Sequence, residues 1–292
     1  MVTKILIPYH ASCALPDDIL GSDVFLPVAV GDKKMVDKDA LRDDIGENIA
    51  EKNPEYNELT AVYFAWKNYD KIGDPDYIGL NHYRRFFIYD DRKYAYYETK
   101  DGSDLFQKIK YDKGVFYRFM TPYYDFIAPM PNKRRSVYDN FAAAHGKEDL
   151  DDALRIIREK FPWYALAAQE YVAGKAAYFY NAFLFKKETF FRYCEFLFGV
   201  LAELEKVRVG GRMFVSEVLT GIFFTKLKNE GEKELRLPIL FIGKKPSFSQ
   251  SVAQTKKNFA QKEGSFIYRI KPMIVFFTPN FLLLSRKKKT VR

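Results

Sequence analysis

Cysteine is scarce in this chain: only Cys13 and Cys194 occur among 292 residues, too few and too far apart for a disulfide framework or a paired-cysteine zinc site. Histidine is nearly as rare, with three in all, and no serine, cysteine or histidine stands in a recognisable triad pattern. The sequence has no glycine-rich phosphate loop, no dinucleotide fingerprint and no G-x-S-x-G elbow, which removes the commonest nucleotide-hydrolysing, hydride-transferring and acyl-transferring classes. Repeats of solenoid period are missing as well. No basic-then-apolar leader precedes Lys4-Ile5-Leu6-Ile7-Pro8, itself a candidate first core strand, so a signal peptide is not expected. Both cysteines have apolar or small neighbours, and buried free thiols in a reducing cytoplasm are expected.

Aromatic residues are abundant, at 17% with 27 Phe and 21 Tyr, within an otherwise ordinary balance of 48% hydrophobic and 29% charged residues. Such a chain can bury a substantial core. The formal charge of +9 is unevenly placed, because residues 285–292, SRKKKTVR, contribute five basic and no acidic side chains. A modestly basic body with a basic tail is not a nucleic-acid-binding balance, and no nucleic-acid partner is expected.

Strand and helix signals alternate along the chain. KILIPYHA (4–11) and DVFLPVAVG (23–31) read as strands, and the acidic stretch 37–56 as a surface loop. From Glu58 to Asn68, Leu59, Val62, Tyr63 and Trp66 follow helical spacing, with Trp66 expected in the core. Gly73-Asp74-Pro75 then breaks the helix ahead of the apolar run Tyr77–Leu80. After a polar and aromatic insert (88–122) come a strand in YYDFIAPMP (123–131), a helix over 148–160 and a strand in AAYFYNAFLFKK (176–187). Helices are predicted from Glu188 to about Lys206 and from about Phe214 to Lys228. This order predicts an α/β fold with a mainly parallel sheet, whose ligands sit beyond the carboxyl ends of the strands. DYIGLNHYRRFF (76–87) places Asn81, His82, Tyr83, Arg84 and Arg85 at such an end.

The segments DDIGENIAEKNPEYNELTAVYFAWKN, DYIGLNHYRRFF and DFIAPMP resemble a bacterial family described only as a domain of unknown function, found in capsular and exopolysaccharide loci and taken to be glycosyltransferases. The unit YFYNAFLFKKETFFRYCEFLF is similar to the same family's N-M-F-I-M-K-K strand and following helix. The resemblance runs from residue 4 to about 245 and implies a GT-A-like, Rossmann-like domain over 1–245, with 246–292 as an extension. It implies a hexosyltransferase moving a sugar, with galactosyl and galactofuranosyl units as candidates, from a nucleotide-sugar donor, uridine-linked by preference, to a lipid-linked oligosaccharide acceptor in capsule or exopolysaccharide synthesis. A non-catalytic carbohydrate- or lipid-binding partner of the same assembly is the competing class.

The site residues follow from the resemblance. GT-A enzymes carry an Asp-x-Asp metal motif where this chain has Asn81-His82-Tyr83-Arg84. The expectation is that Asn81, His82, Tyr83, Arg84 and Arg85 receive the donor diphosphate without a metal, because arginine gives permanently charged, forked donors to phosphate oxygens. A divalent Mn or Mg ion is not indicated, although His82 with a distant carboxylate could supply ligands. His10, ending the first strand, is read equally as a nucleotide contact or a hydrogen-bonded core histidine. Asp43, Asp44, Asn48 and Asn53 are expected at the nucleotide or ribose, joined by Glu58, Thr60 and Asn181. Glu47 and Ala50 stand where the family commonly has Asp and Ser. In RMFVSEV (212–218) Glu217 occupies the place of the catalytic base, with His145 and Asp149 as alternatives, and Val218 replaces the family's arginine.

The C-terminal PMIVFFTPNFLLLSRKKKTVR has a 12-residue apolar run, Met273 to Leu284, broken by Thr278, Pro279 and Asn280. A bilayer span needs about 20 apolar residues. The expectation is instead an interfacial anchor, with Phe276, Phe277 and Phe281 at the headgroup boundary and Arg286 to Lys289 facing anionic lipid at the inner face of the cell membrane. A packed final segment with a free basic tail is the alternative. Liposome co-sedimentation should show salt-sensitive binding to anionic vesicles that vanishes on truncation before Pro279; equal partitioning of both forms would remove the anchor.

Overall fold

The computed structural model describes residues 1–32, 40–90, 94–120, 123–133, 135–208 and 213–243. The expected C-terminal extension and its anchor lie outside the described residues. Among the described residues the strands are β1 (Thr3–Tyr9), β2 (Phe25–Ala29), β3 (Tyr77–Leu80), β4 (Arg85–Phe87), β5 (Tyr96–Thr99), β6 (Phe126–Pro129), β7 (Asn132–Lys133), β8 (Ala176–Ala177), β9 (Phe183–Lys186), β10 (Glu234–Leu237) and β11 (Ile239–Ile242). The α-helices among the described residues are α1 (Asp17–Leu20), α2 (Asn53–Tyr56), α3 (Leu59–Lys67), α4 (Leu105–Lys108), α5 (Val115–Met120), α6 (Val137–His145), α7 (Glu148–Lys160), α8 (Ala165–Ala173), α9 (Lys187–Val207) and α10 (Ser216–Asn229).

Six strands form the main sheet in the order β10-β6-β9-β3-β1-β2. All run parallel except β9, which is antiparallel to both β3 and β6. Alternate residues feed two separate cores: Leu6, Ile78, Leu80, Phe183 and Phe185 face one side, while Ile5, Ile7, Ile127 and Leu184 face the other. Burial on both faces explains why the strands are apolar runs rather than polar-apolar alternations.

The first side is covered by α3 and α6 to α10. Here the aromatic surplus is used: Phe185, Phe190, Tyr193, Phe196, Phe223 and Phe224 are fully buried, and Phe183 and Phe185 stack with centroids 4.5 Å apart. The opposite side carries a three-stranded sheet, β4-β11-β5, with the short helices α1, α4 and α5. Two stretches of chain contribute to both sheets. β3 turns at His82–Arg85 into β4, and only Pro238 separates β10 from β11. Trp66, expected in the core, is only partly buried and stacks on Phe198 beneath the Lys67 ammonium. Cys194 is buried as expected, whereas Cys13 is half-buried.

The reversal of β9 positions the site. Register pairs Leu80 with Phe183, so the residues entering β9 lie beside those leaving β3. Gly79 makes this approach possible, because a Cβ there would lie 2.8 Å from the Phe183 carbonyl oxygen, a backbone atom unable to rotate away. Gly79→Ala should therefore lower unfolding stability by about 1–3 kcal/mol. An unchanged urea midpoint would show that the β3–β9 pairing can shift freely.

Candidate active site

Beyond the carboxyl end of β3, His82 and Arg85 exchange two backbone hydrogen bonds of 3.0 Å, leaving Tyr83 and Arg84 at the tip of a tight turn. Arg84 stands at the tip of the turn and Arg85 opens β4. Asn81, fully buried, accepts from the Phe87 amide at 2.9 Å and braces this turn from within. Its Nδ2 has no hydrogen-bond partner among the described residues.

Both guanidiniums lie against aromatic rings. Arg84 Cζ is 4.9 Å from the Tyr83 centroid and 5.4 Å from that of Phe241; Arg85 Cζ is 4.9 Å from Tyr180 and 5.5 Å from Phe241. Among the described residues no carboxylate forms an ion pair with either, and Arg85 Nε is buried without a hydrogen-bond partner. Rings hold a cation in place without neutralising it, which leaves its N–H groups available to an anion.

The opposing wall comes from the chain entering β9 and the start of α10. Tyr180 and Asn181 are consecutive non-glycine residues with left-handed φ values of 76° and 49°. Such conformations cost of order 1–2 kcal/mol each and persist where surrounding contacts impose them. Those contacts are present. The Tyr180 amide donates to Glu217 Oε1 at 3.0 Å, and the Tyr180 carbonyl lies 2.7 Å from His82 Nε2. A carbonyl only accepts, so Nε2 carries the proton in this contact. The buried Asn181 amide donates to Glu58 Oε1 (2.8 Å) and Ser216 Oγ (3.1 Å), while its Oδ1 accepts from Thr220 Oγ1 (3.0 Å). Thr220 contacts the Tyr193 hydroxyl at 2.8 Å, tying the site into the aromatic core.

The electrostatics separate the two titratable groups. Burial pushes the Glu217 carboxyl up to about 7; the Glu58 charge raises it further, and the Tyr180 amide and Arg85 oppose the rise. Burial also lowers the His82 imidazole, with Arg85 acting the same way and Glu58, 3.9 Å from Nε2, acting against it. His82 is accordingly neutral at pH 7, and Glu217 exchanges its proton near neutrality, the value suited to a general base.

Glu58, Asn81, His82, Tyr83, Arg84, Arg85, Asn181 and Glu217 are thus brought together. A second corner forms beyond β1 and β2. Exposed His10 and buried Asn53 both approach Gly31, where φ is left-handed at 72° and a Cβ would clash, coming 2.8 Å from His10 Nδ1 and 3.0 Å from Asn53 Oδ1. The turn that His10 opens, closed by the Cys13 amide donating to the His10 carbonyl at 2.8 Å, brings Cys13 near the Tyr83 hydroxyl, whose pKa is pushed up by burial and by this thiol.

The other expected donor contacts are engaged within the protein. Asn53 Nδ2 donates to the Asn57 carbonyl and to Thr60, which is itself buried. Asn48 closes a local turn with Gly46 and Ala50, and Asp44 holds Arg42 in a two-point ion pair. Asp43, expected in a surface loop, is fully buried where residues 41–43 pair alongside Ala29. Of the alternative bases, His145 shares a pocket with Glu217, whereas Asp149 sits 3.6 Å from Arg208 at the start of α7. Among the described residues no group of three or more His, Cys, Asp or Glu side chains could hold a metal ion.

Sequence reasoning missed Tyr180, Ser216, Thr220 and Phe241. Ser216 and Thr220 could have been found from their i, i+4 spacing on the face of Glu217. Phe241 carries no local signal, since its role arises from pairing with Arg85 across β11 and β4.

The chain belongs to the family described as a domain of unknown function, DUF4422, which matches residues 4–227. It is similar to the apo structure of the bifunctional glycosyltransferase WbbM, with a TM-score of 0.73 and 25% identity over 84% of this chain. The match covers 46% of the WbbM chain, so this protein spans about half of that relative's length. No curated protein matches. The six-stranded, mostly parallel sheet flanked by helices agrees with the expected α/β fold and is similar to that glycosyltransferase structure.

The raised Glu217 value has a consequence for stability. An unfolded glutamate ionises near 4.5, whereas the folded carboxyl holds its proton to about pH 7. Its contribution is complete below pH 4.5 and is lost as pH rises to about 7, by up to about 3 kcal/mol. Glu217→Gln, which keeps the acceptor for the Tyr180 amide, should match wild type in Tm at pH 4.5 and exceed it at pH 8. An equal difference at both pH values would place Glu217 among ordinary surface carboxylates.

Proposed function

We propose that this protein is a glycosyltransferase that moves a sugar from a nucleoside diphosphate donor to an acceptor hydroxyl. The observation that carries the reading is the pairing of a carboxylate poised near neutrality, Glu217, with two arginines that have no carboxylate partner in the described structure, at the carboxyl edge of a parallel sheet.

Arg84 and Arg85 take the donor diphosphate. As the bond between the anomeric carbon and the phosphate oxygen breaks, its electron pair leaves on that oxygen, and the guanidiniums stabilise the growing negative charge in place of a divalent metal. The acceptor oxygen forms the new bond to the anomeric carbon and gives its proton to Glu217. His82, neutral and held by the Tyr180 carbonyl, fixes the turn that carries the arginines. The His10 and Asn53 corner is the place for the nucleoside, with uridine the preferred base, and Tyr83 lies between that corner and the diphosphate.

The acceptor is a lipid-linked polysaccharide repeat in capsule or exopolysaccharide assembly, consistent with the family resemblance, and a galactosyl or galactofuranosyl unit is the sugar we favour. WbbM is described as bifunctional, and a chain spanning about half of it would carry one transfer activity. The enzyme works at the inner face of the membrane. Among the described residues no helix is long and apolar enough to cross a bilayer.

Loss of a charge-assisted contact to the leaving group lowers transfer by about 2–4 kcal/mol, or roughly 30- to 1,000-fold. At least one of Arg84→Ala and Arg85→Ala should fold normally and show this loss with UDP-sugars as donors. Glu217→Gln should lower turnover by a factor of about 100 or more while donor affinity stays within a few fold. Near-wild-type turnover in both arginine variants would overturn the diphosphate assignment, and a collapse of donor affinity in Glu217→Gln would make that residue a donor contact.

A further inference from the structure

Phe241 is a buried ring with no place in either hydrophobic core. It is 6% exposed, and among the described residues every other buried Phe or Tyr belongs to one core or the other. Its neighbours are instead the two guanidiniums of the turn after β3, with Arg84 Cζ 5.4 Å and Arg85 Cζ 5.5 Å from its centroid. Tyr96 on β5 completes the surroundings, its ring stacked on Phe241 with centroids 6.1 Å apart. A buried phenyl ring ordinarily packs on other apolar side chains. This one packs on cations.

The main chain fixes the ring relative to both arginines. Phe241 stands opposite Arg85 in the register of β4 and β11, and directly opposed residues of an antiparallel pair send their side chains to the same face. One residue on, the Ile242 amide donates to the Arg84 carbonyl at 2.9 Å. Tyr83 lies against Arg84 and Tyr180 against Arg85, whereas Phe241 is the ring that both guanidiniums share among the described residues. It also lies beyond residues 4–227, so the family match does not reach it.

Sharing has a chemical consequence. Two like charges on consecutive residues repel, and with no carboxylate between them each long side chain would otherwise turn separately into water. Attraction to the face of one ring opposes that separation. Arg84 is exposed and Arg85 half-buried, so the pair remains open to a ligand on the solvent side. A nucleoside diphosphate presents one phosphoryl group to each guanidinium fork, whereas a monophosphate presents a single group to both. Cations held as a unit therefore favour the diphosphate, and cations released from each other distinguish the two weakly.

We propose that Phe241 is a positioning residue that holds Arg84 and Arg85 as one unit, and that this unit makes the site select a nucleoside diphosphate over the corresponding monophosphate. The assignment rests on the transferase reading, because it explains how the same arginines recognise the donor.

The test is calorimetric titration of the full chain with UDP, CDP, GDP and ADP and with their monophosphates. Wild type should bind at least one diphosphate about 30-fold or more tightly than its monophosphate. Phe241→Ala should lower that ratio about tenfold by weakening the diphosphate while the monophosphate changes less than about twofold. Phe241→Leu, which fills the space without a ring, should behave like the alanine variant and carries the expectation if the latter does not fold; Phe241→Tyr should keep the ratio. A full ratio in Phe241→Leu, or equal weakening of both nucleotides, would overturn the role of Phe241 and leave the diphosphate reading standing. A wild-type protein that binds nucleotides without preferring the diphosphate, or binds none, would overturn that reading and this inference with it.

Discussion

The peptide groups flanking Tyr180 are the joint on which the site depends. One donates to the Glu217 carboxylate and the other accepts from the His82 ring, so a single residue links α10 to the turn after β3. The link exists because β9 runs against its neighbours, which brings its entry beside the exit of β3. A parallel strand there would have placed Lys186 and Lys187 at that edge instead. The conformational cost of two left-handed residues is offset by at least three side-chain hydrogen bonds to Asn181, and the network is anchored in the aromatic core through Thr220 and Tyr193. Packing and backbone strain are therefore coupled: loosening the joint would release the Glu217 carboxyl and the turn that carries Arg84 and Arg85 together.

Two physical effects give the joint its chemistry. Removal from water raises the Glu217 carboxyl to about 7, and the nearby Glu58 charge adds to the rise. Aromatic rings around Arg84 and Arg85 provide a surface for the cations without a counter-charge. Had either arginine been paired with a carboxylate, part of its field would have been spent inside the protein. A buried amide such as Asn81 Nδ2 and the buried Arg85 Nε, both lacking partners among the described residues, fit a site completed by an anionic ligand.

Much of the main sheet was legible because its strands are bounded by clear breakers. Gly73-Asp74-Pro75 announces β3, prolines close β6, and α7 occupies 148–160 as its helical spacing predicted. The second sheet was not legible. β4, β5 and β11 are only 3, 4 and 4 residues long, two of them continue strands of the first sheet, and their pairing joins segments about 150 residues apart. In the site, His82, the arginines and Glu217 were readable as residue types at meaningful places. Tyr180 was not, because its contribution is a backbone conformation that no side-chain pattern encodes. Asp44 and Asn48 illustrate the converse: polar residues in a family-like motif, yet engaged in a local ion pair and a turn.

The claim that Glu217 is a base held near neutrality by burial is tested most directly by the pH dependence of kcat/KM for sugar transfer. The account predicts an acid limb falling tenfold per pH unit below about pH 7 in the wild-type enzyme, and loss of that limb in the residual activity of Glu217→Gln. A limb centred near the ordinary glutamate value of about 4.5, or a limb unchanged in the variant, would contradict it.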